Sequence, residues 1–299
     1  VFKFSNASLL AQDERVTDGQ LADEMKILRF SRSVSRTNRR NFVTSLGIAA
    51  GAAGTLGLAG CSNDGAIVLS ANDTNPSVVD VLNFALNLEY LEASFYNYIA
   101  TGSGISSANL GTGAGTITPI PQVTFANSFV TTLAQNLAAE EALHVAFLRS
   151  TITAVGGTPV SAPSINLAAM GAVTNDATFL ALARTLEGVG SSAYAGGAQY
   201  LTSTTVGLTY AAQILHVEAQ HEGALRQACI QLGVSSPAAD SLDTPPSSSA
   251  IFNTGSTTGL NPVRTVSQVL QIVYAKPGLT GQLGGGFFPN GLSGNLTVS

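Results

Sequence analysis

From Ser77 onward the chain falls into long apolar stretches with the period of a helix. Leu82, Leu86, Leu88, Leu91, Phe95 and Ile99 recur on one broad side. Gly102 and the Gly/Ser-rich run to Gly115 end this first helix. Pro119 and Pro121 close the loop, and a second helix is predicted from Thr124 to Ala154, stopped by Gly156 and Gly157. Asn175 or Asp176 offers an N-cap for a third helix that continues to about Leu201. Only Thr202 to Thr205 separate it from a fourth, which ends at Leu232-Gly233. Residues 234–261 read as a Ser-, Pro- and Thr-rich loop, Val263 to Tyr274 as a short fifth helix, and Gly284 to Gly294 as an irregular tail. No sustained alternation of period two argues for a sheet, so the fold class is all-α.

Connection lengths then restrict the topology. The few residues between the third and fourth helices permit only an antiparallel hairpin. About twenty residues join the second helix to the third, and at ~3.3 Å each they reach some 60 Å, whereas a thirty-residue helix is only ~45 Å long. A long crossover along a four-helix bundle is therefore feasible.

Composition changes the picture at the N-terminal end. Of 299 residues only 10% are charged while 45% are hydrophobic, and the charge is unevenly placed. Eight cations precede Cys61; after it, five cations face thirteen acids, a formal balance of −8. A basic leader before an acidic body suggests targeting followed by a mature domain, and such a body gives nucleic acid nothing to bind. Thr37-Asn38-Arg39-Arg40-Asn41-Phe42-Val43 resembles a twin-arginine export signal, with Asn38 in place of the usual Ser or Thr. A mildly apolar stretch from Phe42 to Ala59 leads to Leu58-Ala59-Gly60-Cys61, which resembles a lipobox whose Cys61 is acylated. The expected protein is exported and tied to a membrane by lipid on Cys61, periplasmic or at the cell surface, with Ser62 favouring the outer membrane where there are two. The competing reading of the apolar stretch is an N-terminal transmembrane helix. The mixed charge of residues 1–24 puts the expected start at Met25. The resulting division is a targeting segment over 1–60, a tether over 61–76, a bundle over 77–233 and a C-terminal region over 234–299. With Cys61 acylated, Cys229 has no partner for an intrachain disulfide.

The polar residues inside the helices carry the chemistry. All three histidines, and every Glu after Cys61, fall within the four long helices, each of which holds at most one cation. The second helix contains Glu141-Ala-Leu-His144 and the fourth Glu218-Ala-Gln-His221. Residues three apart share a helix face, so each pair can aim a carboxylate and an imidazole at one point. The first helix adds Glu89 and the third Glu187, with Glu92 competing for the first-helix role. Four carboxylates converging in an apolar interior are costly to ionise unless cations neutralise them, and this donor set suits two Fe or Mn ions. His216 sits about 140° around the helix from His221 and reads as a core residue or a hydrogen-bonding support. Glu140 and Glu222 read as solvated faces, and Gly196-Gly197 as a point of close packing.

Asn87-Leu88-Glu89-Tyr90 is similar to the first-helix ligand segment of ferritins, and Tyr96 matches their site-adjacent tyrosine, a candidate one-electron donor. Glu140-Glu141-Ala142-Leu143-His144 resembles their second-helix ligand segment. Over about residues 79–293 the chain resembles the bacterial ferritin-like family related to plant desiccation-associated proteins, on Leu82-Asn83-Phe84-Ala85-Leu86-Asn87-Leu88-Glu89-Tyr90-Leu91-Glu92-Ala93 and on Gly286-Phe287-Phe288-Pro289-Asn290-Gly291. This resemblance implies a ferritin-like bundle with a dinuclear Fe or Mn carboxylate site. Two function classes remain open: a redox or iron-binding metalloprotein, ferroxidase-like or catalase-like, and a non-enzymatic envelope protein of desiccation or stress. A homo-oligomer is open as well, and an interaction module built on the Gly/Ser-rich loops is a third class.

Overall fold

Capping residues set where the helices begin. A computed structural model describes residues 76–255 and 257–299. Ser77 accepts from the Asp80 backbone while the Asp80 side chain accepts back from Ser77, and the first helix runs Val78–Thr101. Gly102 ends it at φ 74°, a left-handed conformation that costs a side-chain-bearing residue energy. Asn127 caps the second helix, Ser128–Ala154, whose start is four residues later than the apolar pattern predicts. Asn175 caps the third, Asp176–Gly197, and the predicted last turn to Leu201 is a tighter 3-10 helix, Ala198–Leu201. Thr204 caps the fourth, Thr205–Leu232, which ends at left-handed Gly233. The fifth is shorter than expected, Val266–Val273, because Thr265 caps it. Among the described residues the fold is all-α, with one further turn of helix at Ser107–Leu110 and, as extended structure, a two-residue parallel pairing of Ile117–Thr118 with Ile165–Asn166 and two isolated bridges.

Cross-helix contacts fix the directions. Asn83 bonds to Thr158 O and Asn97 to Ala138 O, so the first and second helices are antiparallel. Tyr96 approaches Ala183 while Tyr194 bonds to Glu89, so the third runs antiparallel to the first and hence parallel to the second. Asp176, at the start of the third helix, accepts from the backbone N–H groups of Ala126 and Asn127, which sets the two N-termini side by side. The connection over 155–175 therefore travels the length of the bundle, which is the long crossover that the linker length made feasible. It is docked on the first helix, where Asn83 also accepts from Val160 N and Tyr90 donates to Val160 O.

Burial differs among the helices, and this positions the site. In the second helix the buried residues form one stripe, Val130, Ala134, Leu137, Ala138, Glu141, Val145, Leu148, Thr151 and Ile152, at helical spacing. In the first, 16 of 24 residues are buried, because helices, crossover and tail surround it. The tail is irregular but packed: Phe287 and Phe288 are buried, and Ser293 exchanges two hydrogen bonds with Asn87. Three buried arginines tie the C-terminal segment to the bundle. Arg184 donates to Asp243, Ser236 and Pro237 O, Arg226 to three backbone carbonyls over 244–251, and Arg264 to Asp240 and Ser192. Among the described residues no helix is long and apolar enough to cross a membrane. The arginine pair, Cys61 and the start at Met25 lie outside the described residues.

Candidate metal centre

Glu141 and Glu218 occupy core positions of the apolar stripes of the second and fourth helices, so helical geometry alone aims them inward. Glu89 and Glu187 enter from the first and third helices, and all four carboxylates are fully buried. The six residues expected at the site come together in two groups whose donor atoms lie within 4.8 Å of one another: Glu89, Glu141, His144 and Glu218, and Glu141, Glu187, Glu218 and His221. Glu141 and Glu218 belong to both groups. His144 Nδ1 lies 3.0 Å from Glu141, 3.4 Å from Glu89 and 3.4 Å from Glu218. His221 Nδ1 lies 3.0 Å from Glu141 and 3.2 Å from Glu187. The imidazole rings stack with centroids 6.1 Å apart, and their side chains, 12% and 10% exposed, form the rim where the cluster meets solvent.

The third helix makes room for this charge by lacking side chains. A Cβ on Gly190 would lie 2.5 Å from Glu218 Oε2 and 3.1 Å from Glu92 Oε1. Gly196, read from sequence as a packing glycine, has that role elsewhere, since its Cβ would overlap the Arg264 carbonyl.

Tyr194 was not singled out by the sequence reading, yet its buried hydroxyl donates to Glu89 Oε1 at 2.5 Å. It stands seven residues after Glu187, as Tyr96 stands seven after Glu89, and that shared spacing was the available signal. Tyr96 is buried against Phe95 and Phe179, with its hydroxyl 3.5 Å from Ala183 O. Burial, followed by the charge of Glu187 for Tyr96 and of Glu89 for Tyr194, pushes both phenols well above their ordinary range. Tyr194 also lines a cavity of about 590 Å³ beside the first helix's N-terminus.

Two sequence expectations need correction. His216 is exposed, not in the core, because two residues before Glu218 points it to the opposite side of the helix. Glu222 is buried, not solvated: Gly188 leaves room for it, Ser191 donates to it, and Arg226 lies 3.7 Å away. Glu140 is half exposed, as a solvated face would be, but its carboxylate reaches across to His221 Nε2 at 2.7 Å. Glu92, the competitor for the first-helix role, is buried but belongs to neither donor group.

Whether these residues fit a pair of cations is answered by their hydrogen bonds. Glu187 Oε1 and Glu218 Oε2 are buried without a hydrogen-bond partner, and Glu89 Oε2, Glu141 Oε1 and Glu218 Oε1 face only a histidine Nδ1, at 3.0–3.4 Å. Five such atoms gathered about one interior point are donors that divalent cations could use, whereas the other unbonded carboxylate oxygens, Glu222 Oε1 and Asp243 Oδ1, belong to side chains paired with Arg226 and Arg184. Burial raises Glu141 to about 7, and burial together with the neighbouring carboxylates raises Glu218 and Glu92 well above their ordinary values. Burial opposes charge on the histidines too, but bonds to the carboxylates outweigh it, lifting His144 far up and His221 to about 12. Glu89 moves the other way: burial is outweighed by His144, Glu141 and Tyr194, and its carboxyl drops below the usual value. Two divalent ions would neutralise Glu89, Glu141, Glu187 and Glu218. The residues fit.

A solved structure described as ferritin like, diiron-carboxylate proteins from Bacillus anthracis str. Ames is similar at 18% identity and a TM-score of 0.38, covering 50% of this chain and 94% of that one. No curated protein matches the chain. The ferritin-like domain family matches residues 77–231, from the cap of the first helix to the last turn of the fourth, and the chain belongs to that family.

Proposed function

We propose that the chain is an exported, lipid-anchored ferritin-like protein with a dinuclear Fe or Mn site, acting on O₂ or peroxide or binding iron in envelope stress protection. The observation that carries this reading is the pair of overlapping donor groups, sharing Glu141 and Glu218, with buried oxygens left unbonded. One ion would be held by Glu89, Glu141, His144 and Glu218, the other by Glu141, Glu187, Glu218 and His221. Bound there, Fe or Mn supplies one-electron redox chemistry and Lewis acidity. The chain itself positions the donors, and its apolar helix stripes limit water to the histidine rim. It also holds protons on Tyr96 and Tyr194 beside the cluster, where burial keeps both neutral, and burial disfavours charge on Glu92. Tyr96 is the candidate electron donor.

Elemental analysis of the native protein tests the reading, with about two Fe or Mn per chain expected. The variants Glu141→Ala and His221→Ala should lose most of that metal, and full retention in both would refute the ligand assignment. No metal after reconstitution, with an unchanged melting temperature, would favour a structural envelope protein instead. The location rests on Arg39-Arg40 and on the run ending at Cys61. Incorporation of labelled fatty acid into the wild type, and its loss in Cys61→Ala, is the expected result; label retained in the variant would remove the anchor.

A further inference from the structure

We infer that Glu140 is a positioning residue for His221, and that it makes the two cation positions unequal, so that the one at Glu141, Glu187, Glu218 and His221 fills first. This rests on the dinuclear reading above.

The two nitrogens of His221 face different surroundings. Nδ1 points inward, 3.0 Å from Glu141 and 3.2 Å from Glu187, while Nε2 lies 2.7 Å from Glu140 Oε2 at the rim. Metal binding displaces one proton from the ring and leaves one N–H and one lone pair. With the N–H donated from Nε2 to Glu140, the lone pair sits on Nδ1 and faces the cluster, which is the form a metal ligand needs. The same bond fixes the ring's rotation before any cation arrives, so less freedom is lost on binding. Glu140 and Glu141 are consecutive, so one turn of the second helix addresses both sides of a ring carried by the fourth.

His144 has no such support. Its Nδ1 faces Glu89, Glu141 and Glu218, but among the described residues no hydrogen bond reaches its Nε2. The reason is visible in the sequence. Each of these helices carries Glu-x-x-His, but the residue before the motif is Glu140 in the second and Val217 in the fourth. A valine can offer His144 no acceptor. The two halves of the centre match in their inner donors and differ in this outer one.

Titration of the metal-free full chain with Mn²⁺, followed by calorimetry and by electron paramagnetic resonance, tests the inference. The wild type should bind in two resolved steps, a single-ion signal giving way to a coupled pair. Glu140→Ala should weaken the first step by roughly 10- to 100-fold, the usual effect of losing a residue that orients a ligand. It should leave the weaker step almost unchanged. Glu140→Gln keeps an acceptor without the charge and should restore most of the affinity, and Val217→Glu should strengthen the second step. Two equal steps in the wild type, an unaffected first step in Glu140→Ala, or a Gln variant as weak as Ala would each overturn the inference while leaving the dinuclear centre standing. Wild-type protein that binds no Mn²⁺ would sink the dinuclear reading itself. Glu140 is half exposed, so its metal-free variants should melt close to the wild type.

Discussion

Gly190 shows how much of the centre depends on single atoms. Alanine is the better helix former by about 1 kcal/mol, so in open space Gly190→Ala would stabilise the third helix. Here the added methyl meets Glu218 Oε2 at 2.5 Å, and the carboxylate must move. The expected outcome is a chain that keeps its helical circular dichroism and loses metal, read by elemental analysis against the wild type. Unchanged metal content would show that Glu218 tolerates displacement. At this scale the sequence was informative where a residue type and a helical position agreed. Glu141 and Glu218 could be found because an acid stands where the apolar stripe calls for a core residue. Gly190 could not, since a glycine in an apolar helix looks like ordinary packing until the facing carboxylate is known, and Tyr194 offered only its spacing from Glu187. Glu222 was misread for the same reason, because what buries it comes partly from Ser191 and Arg226 and partly from Gly188, a glycine whose purpose is invisible along the chain.

Among the elements, the four long helices were legible because their caps and stops are local chemistry: Ser77, Gly102, Asn175 and Gly233 stand where the pattern put them. The second helix begins late because Asn127 caps it, while Phe125, inside the range predicted for it, packs on Phe179 from the loop. The C-terminal segment was the least legible, since a Ser- and Pro-rich stretch has no periodicity and is held by long-range bonds. Arg184 and Asp243 illustrate the strength of that attachment, as both side chains are almost wholly buried and they meet at 2.5 Å. Arg184→Met would leave Asp243 buried without its partner, a loss of about 3–5 kcal/mol in denaturant unfolding. Adding Asp243→Asn to it should recover much of that loss. If the single variant unfolds like the wild type, the segment is held by its backbone bonds and not by the ion pair.

For the molecule as a whole, the crossover turns two helical hairpins into one centre. By running the third helix parallel to the second, it lets all four helices meet the same interior point, and the linker length alone had made that topology possible. Concentrating acids there has a consequence for stability. Glu141 titrates near 7 in the folded chain against 4.5 for the free side chain, and Glu92 and Glu218 are raised as well. Where the folded state holds more protons than the unfolded one, stability falls as pH rises, so the metal-free protein should weaken from about pH 5 to about pH 8. The histidines act in the same sense, being raised in the folded state, so their contribution also declines with rising pH. Glu89 acts oppositely, but its lowered carboxyl is already ionised over this range. Cations reverse the trend, because they bind the deprotonated donors and bind them better as protons leave. Melting temperatures measured with a chelator should therefore fall across this range, and the gain on adding Mn²⁺ should widen with pH. A gain of constant size would mean that charge neutralisation is not what the metal contributes to the fold, and the account of why these carboxylates are buried would have to be abandoned.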